Sequence, residues 1–417
     1  MDAPPMVRVA KIPAIALIGT LAIVSALYFA KDTDFIAYWR GVRGFMAGFK
    51  PLYGPNSGAG HPQEFRYPPV TVFFFLPLAF LPMRLASVCW TVLGWAACGW
   101  ASAVAIARWK LAFTLPGALS AVLLLAQPTW LAVVFGNVQP HLVALLLLAL
   151  LWSEEHPDRA GLALAVAICF KVWPLFFVPW FLIRRRRATL AYAAAASGVL
   201  WIAPALCFGW ARYAALLHSF FTHAVAIASY PEGVWYSSQS LRGVLLRLLT
   251  NAVHPRDGYP DVSLAALPPA LVSGCYGLLA ALAYGYLVIA MWRAQESRRW
   301  LWDAAAFLFF SALQPFCMNS GLISLLPAVL AAAHVFSAPS GQYPQAARRA
   351  FLVTCILSIL ANSTFYRPFQ RAALMWGIDF WLMLALGFTL VIAARPAAAP
   401  ARLSAGSISE TPSVTAR

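Results

Sequence analysis

Charged residues are scarce in this chain: only 11% of its 417 residues are Asp, Glu, Lys or Arg, whereas a soluble domain carries about a quarter. Hydrophobic residues reach 62%. Apolar runs of roughly 20 residues, long enough to cross a bilayer, recur along the chain. These runs lack the alternation of a barrel, so the spans are predicted to be helices. The composition excludes a soluble fold and predicts an all-α, polytopic integral membrane protein.

The sequence also lacks several motifs of soluble enzymes. Its seven cysteines are single, with no CxxC pair, so neither a metal site nor a disulfide framework is indicated. No glycine-rich phosphate loop is present, which argues against a soluble nucleotide-sugar donor. The net charge of +16 comes from Lys and Arg spread as short clusters between apolar segments, the pattern that encodes membrane topology. Membrane lipids are therefore predicted partners, whereas nucleic acid, metal ions and cofactors are not.

The apolar runs and the basic clusters together predict a topology. The short segments between spans carry most of the arginines, which places them and both termini in the cytoplasm of a protein of the plasma (inner) membrane. The first run follows basic residues but is longer than the core of a signal peptide, so it is interpreted as a retained anchor. About twelve spans are predicted, at 12–30, 85–107, 111–135, 137–152, 160–170, 174–183, 188–207, 263–292, 300–316, 322–336, 350–364 and 372–394.

Two stretches allow alternative assignments. Residues 160–183 could form one span with Lys171 at its centre, at a cost of roughly 3 kcal/mol. Two short helices are preferred, since they put Lys171 at an outer turn and Arg184–Arg187 inside. The stretch Pro69–Pro82 could also span, but it is short and contains Pro77, so a helix on the outer face is predicted.

Residues 1–394 are predicted to form one multi-span domain, followed at 395–417 by a disordered cytoplasmic tail rich in Ala, Pro, Ser and Thr. Two long outer loops, about 31–84 and 209–262, are aromatic and partly apolar. These loops are predicted to lie on the same side of the membrane as the carboxylate of Asp34, which follows the first span and so lies at the membrane surface. This arrangement suggests a membrane-embedded pocket covered by the two loops. The reaction would then take place at the lipid–water boundary.

Several short motifs follow one another between about residues 20 and 335. They are Asp34-Phe-Ile-Ala-Tyr-Trp-Arg-Gly41, Gly48-Phe-Lys-Pro-Leu-Tyr53, Phe65-Arg-Tyr-Pro-Pro69, Phe135-Gly-Asn-Val-Gln139, Phe170-Lys-Val-Trp-Pro174 and Tyr236-Ser-Ser-Gln-Ser-Leu241. Their order and spacing resemble glycosyltransferase family 87. The resemblance implies the GT-C fold and sugar transfer from a polyprenyl-phosphate donor, in many members the transfer of mannose.

The chain departs from the family pattern at two places. The amide residues of Gly136-Asn137-Val-Gln139 are exchanged relative to the family's turn. In addition, Asn319, Ser320 and Gly321 stand where relatives often carry Trp and His. If a histidine there helps relatives to bind the donor phosphate, this chain must bind phosphate in another way or do something different.

Glycosyl transfer needs a base, because a sugar hydroxyl is a poor nucleophile until a carboxylate takes its proton. Asp34 is the candidate base, and Asp32 is the runner-up. The spacing from Asp34 to Phe35 and Tyr38 matches the Asp-Phe-x-x-Tyr pattern of the family. The structural alternative is that Asp34 caps a helix beginning at Phe35, since Asp is a favoured N-cap residue.

The leaving group implied by the resemblance is a lipid phosphate, so cations should converge on the outer side. Lys171 is favoured as a phosphate ligand, because an ionisable residue between two short spans is a functional candidate. Snorkelling to the headgroups is the alternative for this lysine. Arg242 and Arg66 are the further candidates. The residues predicted to bind substrate are Tyr38, Trp235, Tyr236, Gln239, Asn137 and Gln139, although Trp and Tyr also form ordinary interfacial belts.

The sequence thus predicts an inverting glycosyltransferase. It would move a hexose, with mannose favoured, from a polyprenyl-phosphate donor to a lipid or glycan acceptor on the non-cytoplasmic face. The alternative is a secondary transporter or flippase, whose functional carboxylates would be Asp303 and Asp379. Transporters place charges near the midplane and often contain inverted repeats. Here the ionisable residues cluster at the outer boundary and no repeat is visible, which favours the enzyme; a membrane scaffold is the third possibility.

Overall fold

The computed structural model describes residues 19–20, 23–24, 27, 34–48, 51–54, 65–229, 236–251, 259–361 and 367–395. Regular secondary structure in these ranges is helical, which agrees with the predicted all-α class. Extended pairing there is limited to isolated bridges, between Ser238 and Met318 and between Ser340 and Tyr343. The first of these bridges lies at the candidate site described below.

The helices of the described ranges are numbered in chain order. They are α1 (Asp34–Met46), α2 (Thr71–Ala79), α3 (Met83–Arg108), α4 (Leu115–Phe135), α5 (Gln139–Trp152), α6 (Pro157–Phe170), α7 (Val178–Ile183), α8 (Arg187–Phe208), α9 (Trp210–Ser229), α10 (Leu241–Leu249), α11 (Pro269–Arg293), α12 (Arg299–Leu313), α13 (Leu326–Ser337), α14 (Gln345–Ala361), α15 (Arg367–Met375) and α16 (Ile378–Ala394). Short 3₁₀ turns at Trp173–Phe177, Glu296–Arg298 and Asn319–Leu325 precede α7, α12 and α13.

Five helical runs in these ranges are long and apolar enough to cross a membrane: α3, α4, α8, α11 and the run Asn319–Ser337. A sixth span would be formed by α15 and α16 together, which meet at a bend of 62°. The protein is therefore a multi-pass membrane protein by length and composition. The count of twelve spans stays a prediction, because the first lies mostly outside the described residues and several others correspond to shorter helices.

The chain breaks at Lys171, as predicted. Helix α6 ends at Phe170, Lys171 adopts an extended backbone with φ −146° and ψ 145°, and a 3₁₀ turn begins at Trp173. A second prediction concerned the stretch Pro69–Pro82, and α2 forms a short helix within it. The position of both elements relative to the bilayer stays a prediction. The two long loops contain helices of their own, namely α1, α2, α9 and α10.

Helix α5 is the centre of the bundle. Its sequence is apolar on all sides, as expected for a helix buried all round. Nearly every residue from Gln139 to Leu151 is buried, and α3, α6 and the turn Asn319–Leu325 pack against it. Helix α11, in contrast, exposes large side chains such as Leu278 and Leu282, as expected for a helix that faces lipid.

The two ends of α5 define two ends of the molecule. Its fourteen residues rise about 21 Å at 1.5 Å per residue. The Asp34 end lies where α5 starts. The Asp303 end lies where α5 finishes, and there Glu154 and Glu155 pair with Arg186 and Arg108. The arginines that the sequence assigns to one membrane side thus gather at the Asp303 end.

Three helices end in the same way, with one residue in the left-handed region. Helix α4 uses Gly136 (φ +60°), and the following N–H donates to Ala132 O over 2.9 Å. Helix α3 uses Lys110 (φ +52°) and α7 uses Arg185 (φ +56°), each followed by an N–H bonded five residues back over 2.9 Å. Glycine adopts this conformation without a Cβ clash, whereas lysine and arginine do not. Two helix ends therefore keep a strained cation where glycine is the usual choice.

Candidate active site

Asp34 is fixed by the turn between α4 and α5. Helix α1 begins at Asp34 itself, and Asn137 donates from Nδ2 to Asp34 Oδ2 over 2.8 Å. Asn137 is held in turn, because its Oδ1 accepts from the backbone N–H of Gln139 over 2.9 Å. The turn starts at Gly136, where an added Cβ would come within 2.6 Å of Phe35 Cβ. The glycine thus allows the turn to approach the start of α1 closely enough for this hydrogen bond.

The segment Cys317–Gly321 completes the polar cluster. Asn137 Nδ2 also reaches Ser320 Oγ at 3.4 Å. A Cβ on Gly321 would lie 3.2 Å from Gln139 Nε2, so the Gln139 side chain packs directly on this segment. Two of the positions at which the sequence departs from its family resemblance, Ser320 and Gly321, therefore lie beside the amide turn that holds the carboxylate.

Two cations act on the Asp34 carboxylate. Burial raises the pKa of Asp34, while the charge of Lys171, the hydrogen bond from Asn137 and the charge of Arg66 oppose that rise, in this order. Burial likewise lowers the pKa of Lys171, and attraction to Asp34 opposes it. Among the described contacts no ion pair joins Asp34 to Lys171, so the lysine acts on the carboxylate through its charge. The predicted base and two predicted phosphate ligands, all half-buried, thus interact electrostatically.

Tyr38 belongs to an aromatic cluster behind Asp34. Its ring stacks on Phe75 at 4.7 Å, its hydroxyl lies 2.6 Å from the hydroxyl of Tyr67, and 2% of the residue is exposed. Tyr53 donates to the Tyr67 carbonyl over 2.7 Å, which fixes the bend before α2. Burial raises the pKa of Tyr38 well above its usual value, so the phenol stays protonated. Contact of Tyr38 with substrate stays a prediction; in the structure it positions α1.

Gln239 is fully buried and bonded to backbone. Its Nε2 donates to the carbonyls of Tyr236 (2.5 Å) and Leu374 (3.0 Å), and its N–H donates to Cys317 O over 2.7 Å. Tyr236 stacks on Tyr259 with ring centroids 4.2 Å apart. These contacts attach the segment before α10 to Cys317–Gly321 and so to the Asp34 cluster. Direct contact of Gln239 or Tyr236 with substrate stays a prediction.

Arg242 is buried in the first turn of α10. Burial lowers its pKa, and the group that opposes this is Tyr276 on α11. Its Nη1 is buried and has no hydrogen-bond partner within the described residues, where no contact links it to Asp34. Its role as a phosphate ligand stays a prediction. The other two predicted site residues, Asp32 and Trp235, lie outside the described residues.

The structure adds residues that sequence reasoning did not select. Ser320 contacts Asn137, and the Cys317 thiol lies near enough to Lys171 to interact with its charge. His141 stacks on Trp90 at a centroid distance of 3.7 Å, and Trp90 donates to Gly136 O over 3.0 Å. The signal for His141 was available, since it follows Gln139 by two residues at the start of α5.

The profile of glycosyltransferase family 87 matches residues 65–315. This range covers more than half of the chain, and the chain belongs to this family of glycosyltransferases. The resemblance inferred from the sequence motifs is thereby confirmed.

Two further proteins are similar to the chain. One is a polyprenol-phosphate-mannose-dependent alpha-(1-2)-phosphatidylinositol mannoside mannosyltransferase of Mycobacterium tuberculosis, 30% identical over 187 residues. That match covers 40% of this chain and 44% of the relative, so the chain matches less than half of the relative's length. The other is the crystal structure of ArnT from Cupriavidus metallidurans bound to undecaprenyl phosphate. It is 17% identical with a TM-score of 0.38, over 92% of this chain and 76% of that one.

Proposed function

We propose that this protein is a membrane-embedded, inverting glycosyltransferase that uses a polyprenyl-phosphate-sugar donor. The transferred sugar is a hexose, with mannose proposed first, and the acceptor is a lipid or glycan on the non-cytoplasmic face. Membership of family 87 supports the reaction class. The name of the mycobacterial relative specifies polyprenol phosphate mannose for that protein, and this supports the choice of donor here.

The observation that carries the proposal is the grouping of one half-buried carboxylate with two half-buried cations. Asp34 is held by Asn137, and the charges of Lys171 and Arg66 both act on it. Sugar transfer from a phosphate carrier requires a base at the acceptor and positive charge at the leaving group. In this proposal Asp34 meets the first requirement, and Lys171 and Arg66 meet the second, although the three residues come from separate parts of the chain.

The reaction follows from this arrangement. The acceptor hydroxyl oxygen attacks the anomeric carbon of the donor sugar from the side opposite the phosphate. The new C–O bond forms as the bond between the anomeric carbon and the phosphate oxygen breaks, which inverts the configuration. Asp34 takes the hydroxyl proton, and the phosphate leaves with the bonding electron pair. Lys171 and Arg66 stabilise the charge that develops on the departing phosphate. The energy resides in the donor, so no nucleotide is consumed.

The test uses purified protein in lipid, labelled polyprenyl-phosphate-mannose and a membrane extract as the source of acceptor. The wild type should yield a labelled product, and Asp34→Asn should abolish it while the protein stays folded. Asp158→Asn, which changes an exposed carboxylate at the start of α6, is the matched control and should remain active. A fully active Asp34→Asn variant, together with an inactive Asp303→Asn or Asp379→Asn variant, would favour a transporter instead. A glycan and lipid profile of cells with and without the gene would identify the acceptor.

A further inference from the structure

A second cavity with unusual charge lies at the Asp303 end. It has a volume of about 260 Å³ and sits between the ends of α7 and α11 and the start of α12. Its lining residues are Ile183, Arg184, Arg185, Met291, Trp292 and Arg299. Three of the six are arginines and none is acidic. A neighbouring cavity of about 200 Å³ has four arginines but also Glu154, Glu296 and Asp303 in its wall. The first cavity, which we name the arginine cavity, thus has the larger excess of positive charge in its wall.

The three arginines differ in how their charge is balanced. Arg184 pairs with Asp303 over 2.5 Å, yet its Nε–H is buried and lacks a hydrogen-bond partner within the described residues. Arg299 makes an exposed contact with Glu296 over 3.2 Å. Arg185 is exposed and forms no ion pair within the described part of the chain. The wall therefore contains one guanidinium group whose charge no described carboxylate balances, and one buried N–H donor that needs an acceptor. A bound anion would supply both the negative charge and the acceptor.

The cation at Arg185 occupies a strained backbone position, as Lys110 does at the end of α3. Arg185 ends α7 in the left-handed conformation, with φ +56°. Glycine at this position would close the same helix end without strain. Strained non-glycine residues concentrate at functional sites.

The apolar part of the wall places the cavity at the level of lipid headgroups. Trp292 is 68% exposed in the last turn of α11, whose preceding turns present Leu278, Leu282 and Ile289 outward. Tryptophan at the end of a lipid-facing helix marks the membrane interface. Ile183 and Met291 complete an apolar side next to the arginines. The cavity thus combines a surface for an acyl chain with a surface for an anionic headgroup.

We propose that the arginine cavity binds an anionic phospholipid of the surrounding bilayer. The phosphate accepts hydrogen bonds from Arg185, Arg184 and Arg299, and the first part of an acyl chain lies against Trp292 and Ile183. This site is separated from the Asp34 cluster by the length of α5 and does not depend on the proposed sugar transfer.

The test measures lipid retention on the full-length protein by native mass spectrometry. Detergent-purified protein is titrated with phosphatidylglycerol or with phosphatidylcholine of the same acyl chains. We expect phosphatidylglycerol to bind at least tenfold more tightly than phosphatidylcholine. Arg185→Gly should weaken phosphatidylglycerol binding about tenfold, because a charge-assisted contact is lost while the helix end becomes less strained.

Lys110→Gly is the matched control. It also replaces a left-handed cation at a helix end, but it lies outside the arginine cavity. It should leave phosphatidylglycerol binding unchanged. Equal losses in both variants would show a general effect of charge and overturn the proposal, as would no loss in either. Inorganic phosphate should not displace the bound lipid; displacement at equal concentration would show a simple anion site without a lipid contact, and the proposal would be wrong.

Discussion

Asn137 Nδ2 donates a hydrogen bond to Asp34 Oδ2 over 2.8 Å, although 103 residues separate the two along the chain. The amide acts on a carboxylate whose pKa is raised by burial and lowered by this same hydrogen bond. Asn137 is thereby tied to the start of α1, while its Oδ1 is occupied by the backbone of Gln139. We interpret Asn137 as a residue that positions the proposed base, rather than as the substrate ligand expected from the sequence.

Asn137→Ala should shift the pH dependence of sugar transfer. A hydrogen bond to the charged form favours ionisation, so its removal raises the pKa of Asp34 further. A base works when it is deprotonated; activity is therefore present above this pKa and is lost as pH falls through it. The acid limb of the kcat/KM profile should move to higher pH, with about a tenfold loss of rate on that limb. Ser320→Ala removes only a 3.4 Å contact and is the control. An unchanged limb in Asn137→Ala would exclude Asp34 as the base or Asn137 as its partner.

Lys171→Met should raise the donor concentration needed for half-maximal rate. The variant removes a half-buried cation whose charge acts on Asp34, and with it one proposed phosphate ligand. We expect an increase of at least tenfold in the apparent KM for the donor, since a charge-assisted contact contributes about 1.5–3 kcal/mol. Initial rates over a donor titration give this value.

Arg43→Gln is the control for Lys171→Met. Arg43 lies over the Trp39 ring at 4.8 Å and has no described contact with Asp34. Donor kinetics should be unchanged in this variant. If Lys171→Met also has wild-type donor kinetics, Lys171 does not bind the phosphate.

Gly136→Ala should damage the site through the backbone. The residue has φ +60°, and its new Cβ would lie within 2.6 Å of Phe35 Cβ, next to Asp34. Gly48→Ala has a comparable φ of +73° with no atom within 4 Å of the new Cβ, so it tests backbone strain alone. We expect about 1 kcal/mol of destabilisation for Gly48→Ala. Gly136→Ala should cost about 1–3 kcal/mol more and lose activity. Thermal unfolding and turnover per folded protein separate these effects, and equal behaviour of the two variants would contradict the packing argument.

Asp303→Asn should affect stability rather than catalysis. Asp303 Oδ1 accepts from Trp180 Nε1 over 2.7 Å and pairs with Arg184 over 2.5 Å, with 7% of its side chain exposed. Loss of one partner of a buried pair typically costs about 3–5 kcal/mol. The unfolding temperature should fall while turnover per folded molecule is kept. The double variant Arg184→Met/Asp303→Leu should regain part of the stability, because no buried charge is left alone. If the Asp303→Asn variant is fully stable but inactive, the result would support the transporter hypothesis instead.

Several elements of this fold follow from local sequence. The composition predicts helices in lipid, and the position of Lys171 between two short apolar stretches predicts the break that the structure contains. The roles of Asn137 and Gln239 cannot be predicted from local sequence, because both side chains bond to residues that tertiary packing brings close. Gln239 bonds to Leu374, 135 residues further along the chain. An amide in a motif indicates that a polar group is needed there. The pattern does not show whether that amide binds a substrate or a backbone carbonyl far along the chain.

The aromatic residues show the same limit. Tyr38 follows Asp34 by one helical turn, a spacing that suits either a shared substrate or packing behind the base. The contacts with Phe75 and Tyr67 settle its position in the structure, and those partners come from a different helix and loop. Short-range pattern therefore selects candidate residues, whereas the contacts that each of them makes depend on the three-dimensional arrangement.

The closeness of Lys171 to Asp34 couples the two halves of the proposed reaction. The ammonium group of Lys171 stabilises the Asp34 carboxylate and makes it a weaker base. The donor phosphodiester carries one negative charge, and its binding to Lys171 would neutralise part of that field, so Asp34 gains proton affinity when the sugar donor is bound. An acceptor that arrives first meets a less basic oxygen. An ordered sequence, with the carrier lipid entering ahead of the alcohol, is thus favoured by electrostatics alone.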